Sequence, residues 1–195
     1  MPDELLIAIL AAGASRRLGR PKQLVELNGE TLVRRQCKTA IEARIGSVVV
    51  VLGCDHEQIA PEVSDLKLRI LMNDDWREGV AASVRVSTLA AIDAGAAALL
   101  IIHCDQYAIT SADLIRLHQA WQSSQTSAHL SRDGDHLGPP AILPARLFPS
   151  MLTLKGDSGP RAILRNDPDV CEVPMPFASK DVDLPDDLNV LGNPE

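Results

Sequence analysis

Short, largely unbroken apolar runs constrain this chain more than any other feature. They lie at residues 5–10 (LLIAIL), 47–52 (SVVVVL), 68–71 (LRIL) and 98–103 (ALLIIH). A strand wet on one face alternates apolar and polar residues, whereas a strand covered on both faces reads as a continuous run. Such runs, alternating with helical patterns, specify a parallel sheet with crossover helices. Helices are expected over residues 32–43, in a shorter piece around 58–63, and over 81–94, with Gly46, Gly79 and Gly95 as punctuation. Another helix follows Thr110: Leu114, Leu117 and Trp121 share one face, Thr110 and Ser111 are candidate caps, and Asp113 falls in the first turn. Trp121 is read as core. After Gln125 the pattern changes. Residues 128–132 and 141–143 read as short strands around the turn Asp133-Gly134-Asp135, so strand directions are expected to mix there.

The chain has 195 residues, 46 % of them apolar, which is enough to bury one core without disulfides or structural metal. A single domain over residues 1–195 is expected. Cys37, Cys54, Cys104 and Cys171 form no CxxC pair, which argues against a zinc ribbon, a redox motif or a secreted disulfide framework. The few residues before Leu5 are acidic and too short for a signal peptide, and no run reaches the roughly 20 apolar residues of a membrane span. A cytoplasmic location is therefore expected. The net charge of −7 disfavours nucleic acid and anionic membranes as partners. An anionic small molecule would need a local basic site. Arg16, Arg17, Arg20 and Lys22 provide one within seven residues.

Those cations belong to residues 10–24, LAAGASRRLGRPKQL, which leave the first expected strand. A glycine-rich loop there stands at the carboxyl edge of a parallel sheet, with backbone N–H groups able to face phosphate oxygens. The segment is neither a Walker A loop, which needs Lys and a hydroxyl residue directly after the second glycine, nor GxGxxG. Taken residue by residue, it reads either as a phosphate-binding loop or as a tight βα turn with a solvated basic face. Later segments, Lys155-Gly-Asp-Ser-Gly159 and residues 181–187, are loop-like and rich in glycine or carboxylate.

The loop resembles the LAAGxSxRxGxxKxL signature of the MobA-like nucleotidyltransferases, and more closely their molybdenum cofactor cytidylyltransferase branch. Further blocks follow in the family's order. NDDWREGVAAS at 73–83 resembles N-x-x-W-x-x-G-x-x-x-S, and CDQY at 104–107 resembles GDQP. GDSGPR at 156–161 resembles GDxGAR, and DVDLPDDL at 181–188 resembles DIDTPEDL. The resemblance covers nearly the whole chain. It implies a three-layer α/β/α, Rossmann-like nucleotidyltransferase fold with a mostly parallel central sheet and a mixed C-terminal part. Residues 1–125 would bind the nucleotide and residues 126–195 the acceptor.

The resemblance also implies roles. Leu10, Ala11, Ala12 and Gly13 would hold the nucleotide together with Arg17 and Lys22, and Arg17, Lys22 and Asp105 would be catalytic. Asn73 and Ser83 would flank the base or ribose, and Gly79 would open the following helix near the nucleotide, although a plain helix cap accounts for Gly79 and its neighbours equally well. Asp157 and Arg161 would bind the acceptor, or form an ordinary turn. Mg²⁺ would be held by Asp105 and Asp183, and the carboxylates at 181, 183, 186 and 187 read equally as an exposed acidic loop or helix start. His103 is either a support for Asp105 or merely structural. The implied substrates are CTP and a molybdopterin-type acceptor, with a molybdenum hydroxylase as a downstream partner. Ala11-Ala12-Gly13, rather than Ala-Gly-Gly, leans toward cytidylyl transfer by resemblance. Departures are Cys104 for glycine, Tyr107 for proline, Pro139 for histidine in a GHP block, and the milder Pro160 for alanine. They leave open a different acceptor such as a sugar phosphate, GTP in place of CTP, or a non-catalytic nucleotide-binding accessory protein.

Overall fold

The computed structural model describes residues 4–165 and 167–182. In chain order it holds β1 (Leu5–Ala11), a small antiparallel hairpin of β2 (Glu26–Leu27) and β3 (Glu30–Thr31), α1 (Leu32–Ala43), β4 (Ser47–Leu52) and α2 (His56–Ile59). Next come β5 (Arg69–Met72), α3 (Val80–Asp93), β6 (Ala98–His103) and α4 (Ser111–Gln122). Then follow β7 (Ala128–Asp133), β8 (His136–Pro144), α5 (Phe148–Met151), α6 (Arg161–Leu164) and β9 (Val170–Pro174).

Seven strands form one sheet in the order β5-β4-β1-β6-β8-β7-β9. The first four are mutually parallel, as their apolar runs require. β8 runs antiparallel to both β6 and β7, and β9 pairs parallel with β7. Successive strand side chains point to opposite faces. Leu5, Ile7 and Ile9 accordingly pack with Val33 and Cys37 of α1 and Leu114, Leu117 and Trp121 of α4. Leu6, Ala8 and Leu10 pack on the other face with Ala81 and Val84 of α3. Two dry faces explain the absence of polar alternation in β1. Full burial of one such Leu or Ile stabilises by roughly 1.5–3 kcal/mol, so the central strands fix the frame that carries the loops.

Helix α4 begins where the sequence places it: the Thr110 hydroxyl accepts from the Asp113 N–H, and the Asp113 carboxylate accepts from the Thr110 N–H, a reciprocal cap. Several elements differ from the sequence expectation, among them the β2–β3 hairpin, α5 and α6, which have no expected counterpart. The helix expected at 58–63 is the short α2 followed by a 3-10 turn over Ala60–Val63, which has Pro61 in its first turn. β8 is nine residues long and its register against β7 slips between Leu130 and Ser131; Pro139 and Pro140, which lack N–H donors, fall in this stretch. β9, with the sequence VCEVP, has no expected counterpart. Among the described residues, no helix is long and apolar enough to cross a membrane.

Candidate active site

At its carboxyl end β1 delivers Leu10 and Ala12 to a cleft of about 480 Å³. The glycine-rich loop forms one wall through Gly13, Ser15, Arg16, Arg17 and Lys22. Trp76, Arg77, Glu78, Gly79 and Ser83 form the facing wall, His103 and Asp105 close the end, and Asp157 reaches in from the C-terminal half. The loop turns sharply because Ser15 adopts a left-handed conformation (φ 50°), and its carbonyl accepts the N–H groups of Leu18 and Gly19 at 3.0 and 3.2 Å. Its hydroxyl accepts the Lys22 backbone N–H at 3.0 Å, which sets the path of the lysine.

Strand β6 carries the chain to Asp105, which is only 2 % exposed. The Lys22 ammonium donates to its Oδ2. Oδ1 is buried and has no hydrogen-bond partner among the described residues. A buried acceptor left unsatisfied costs about 1–3 kcal/mol, and more when charged, so this oxygen is suited to a ligand. The described residues contain no group of three or more Asp, Glu, His or Cys side chains able to hold a metal. Magnesium does not demand one: it is typically bound by one or two carboxylates, with water and substrate phosphate completing its octahedron. Asp105 fits that limited role. Asp183, the second expected ligand, lies outside the described residues.

Gln106 fixes the chain next to Asp105. Its Nε2 donates to the carbonyls of Pro139 and Ala178 at 2.7 and 2.8 Å, and its Oε1 accepts the His103 N–H at 3.0 Å. Cys104 is buried between them, and desolvation pushes its thiol well above the ordinary range, which leaves it unreactive.

On the facing wall Asn73 is buried behind the cleft lining, and its Nδ2 donates to the Ser83 hydroxyl at 2.9 Å. Asn73 thus supports a cleft residue rather than lining the cleft. Gly79 sits at φ 123°, and a Cβ there would lie 2.4 Å from Asp157 Oδ1 and 2.5 Å from the Gly156 carbonyl. Only glycine permits that approach. The loop it meets is docked by Ala81 N–H donating to the Gly156 carbonyl at 3.1 Å and by Gly156 N–H donating to Glu78 Oε1 at 3.2 Å. The Arg85 guanidinium, backed by the Gly156 N–H, holds the Glu78 carboxyl at a pKa of about 2.

Of the expected site residues, Leu10, Ala12, Gly13, Arg17, Lys22, Gly79, Ser83, Asp105 and Asp157 line this one cleft. Ala11 is buried at the end of β1, and Arg161 is exposed at the start of α6; neither lines the cleft. The cleft also recruits Arg16, Trp76, Arg77, Glu78 and His103. Trp76, with the Arg77 guanidinium 4.3 Å over its ring, lies inside the quoted NDDWREG block, so its position there was the available signal. The departures Cys104, Tyr107 and Pro139 are absent from the cleft lining. Tyr107 packs beside Leu18, Val25, Leu32 and Val182.

A mostly parallel sheet whose first strand feeds a cationic glycine-rich loop opposite a buried carboxylate is the architecture of an α/β nucleotidyltransferase. The chain belongs to the MobA-like NTP transferase family, whose sequence model matches residues 7–170. It is 29 % identical over 165 residues to the nicotine blue oxidoreductase of Paenarthrobacter nicotinovorans, covering 82 % of this chain and 81 % of that one. It is 31 % identical over 127 residues to a probable molybdenum cofactor guanylyltransferase of Opitutus terrae, covering 65 % and 60 %. Among solved structures, Rv0371c of Mycobacterium tuberculosis H37Rv superposes with a TM-score of 0.86 at 26 % identity, covering 98 % of both chains.

Proposed function

We propose that this chain is a magnesium-dependent cytidylyltransferase that moves CMP from CTP to the terminal phosphate of a molybdopterin-type acceptor and releases pyrophosphate. One observation carries the reading: the Lys22 ammonium and the Asp105 carboxylate, whose buried second oxygen has no hydrogen-bond partner among the described residues, meet in the cleft beside the glycine-rich loop. A cation and a carboxylate at the same point suit a triphosphate held with its counter-ion. Arg17 and Lys22 would face the charge that develops on the α-phosphate and on the departing pyrophosphate, and the loop backbone would hold the remaining phosphate oxygens. Magnesium bound at Asp105, with Asp183 as a second ligand, would supply further positive charge to those phosphates. Gly79 and Ser83, the latter braced by Asn73, would bound the ribose and base. Residues 1–125 serve the nucleotide in this reading, and Asp157 and Arg161, from residues 126–195, serve the acceptor.

The reaction needs no protein nucleophile. An acceptor phosphate oxygen, already ionised, attacks the α-phosphorus; the α–β P–O bond breaks and its electron pair leaves with pyrophosphate. The test is pyrophosphate release from CTP, GTP and ATP with magnesium, with and without molybdopterin. Acceptor-dependent release from CTP alone is the expected result. Release from GTP instead would shift the reading to guanylyl transfer, the activity in the name of the Opitutus relative. Nucleotide binding without release would favour a different acceptor, such as a sugar phosphate, or an accessory role in assembling a molybdenum hydroxylase.

A further inference from the structure

We propose that Gln23 is a positioning residue whose buried amide aims the backbone N–H of Ala14 at the anionic group held in the cleft. The proposal rests on the nucleotide-binding reading above. Gln23 is 1 % exposed. Its Nε2 donates to the carbonyls of Ala11 and Gly13, each at 2.8 Å. Its Oε1 accepts the Ser15 hydroxyl at 3.3 Å, and that hydroxyl accepts the Lys22 backbone N–H. One side chain therefore ties the departure of the loop from β1 to its return at Lys22. The task needs two donors and an acceptor on one planar group, which a primary amide supplies.

The consequence lies in the peptide that follows Gly13. In a planar trans peptide the carbonyl of one residue and the N–H of the next point in opposite directions. Drawing the Gly13 carbonyl onto the buried amide therefore turns the Ala14 N–H away from Gln23, and Ala14 lines the cleft. Among the described residues, neither the Gly13 nor the Ala14 N–H has a hydrogen-bond acceptor. If this peptide flipped, a carbonyl oxygen would replace the N–H and repel a phosphate. Glycine at 13 makes such a flip sterically cheap, and the two carbonyl contacts of Gln23 oppose it. A residue needed only to fill space beneath the loop would be served equally well by methionine.

The test compares wild type with Gln23→Met, which keeps the length and removes the hydrogen bonds. Binding of magnesium-CTP and of inorganic tripolyphosphate is measured by calorimetry, alongside thermal unfolding. Affinity for both ligands is expected to fall by about tenfold or more, and by a similar factor, because the loss is at the phosphates. A lower melting temperature with unchanged affinity would make Gln23 merely structural and overturn the proposal. If Gln23→Met does not fold, Gln23→Asn is measured: its shorter amide cannot span both carbonyls, so it too must bind tripolyphosphate more weakly than wild type, and equal affinity overturns the proposal. Failure of wild type to bind CTP, GTP, ATP or tripolyphosphate would instead sink the nucleotide-binding reading itself.

Discussion

The two glycine-containing loops that contribute to the cleft are held by different physics. The loop after β1 is tied from beneath by the buried amide of Gln23 and by the Ser15 hydroxyl. The loop at 155–159 is held from the side, by one backbone hydrogen bond from Ala81 in the first turn of α3 and by Glu78, which is itself paired with Arg85 on the surface. Buried hydrogen bonds are protected from competing water, whereas an exposed ion pair contributes little and weakens with salt. In the proposed reading, the contrast would give a fixed lip for the phosphates and a more yielding lip for the acceptor.

The largest effect is expected at the fixed side. Asp105→Asn keeps the shape but removes the charge beside Lys22, and acceptor-dependent turnover is expected to fall by about 10²- to 10³-fold, read by steady-state pyrophosphate release. Gly79→Ala comes next. Its Cβ collides with Gly156 and Asp157 at a backbone conformation that disfavours alanine, so destabilisation of about 1–3 kcal/mol is expected in urea. Its acceptor KM should rise while tripolyphosphate affinity stays within about threefold, less than one RT-scaled decade of binding energy. Equal losses for both ligands would break the distinction between the lips. Asp157→Asn should be milder, raising acceptor KM and leaving CTP affinity unchanged by calorimetry.

The smallest effect concerns pH. Glu78 is held at about 2, against an ordinary 4.5, so its folded carboxyl binds protons less readily than its unfolded one. Its stabilising contribution is present above about 4.5 and is lost as the pH falls toward about 2. Glu78→Gln should flatten the acid limb of the urea-midpoint curve in that window. An unchanged limb would show that the side anchor carries nothing.

The parallel half was legible because its strands have two dry faces: β4 and β6 occupy the runs that announce them, and α1 spans residues 32–43 as expected. Sequence pattern was weaker in the C-terminal half. Pro139 and Pro140 interrupt the apolar signal of β8, and β9 is short, charged at Glu172 and closed by Pro174. At the site, Gly13, Arg17, Lys22 and Asp105 were legible because a loop at a strand end concentrates them in sequence or at a sheet edge. The docking of Asp157 on Gly79 was not, since it depends on a close backbone approach between distant segments. Nor was the retreat of Asn73 behind Ser83, which depends on side-chain packing rather than on spacing.

Nucleotidyl transfer in this cleft is proposed to depend on Asp105. The most direct test is acceptor-dependent pyrophosphate release by wild type and Asp105→Asn side by side, with thermal unfolding of both. The account predicts release by wild type and a loss of at least about 100-fold in a variant that remains folded. Equal release by the two proteins, or none from wild type with any nucleotide and acceptor, would contradict it.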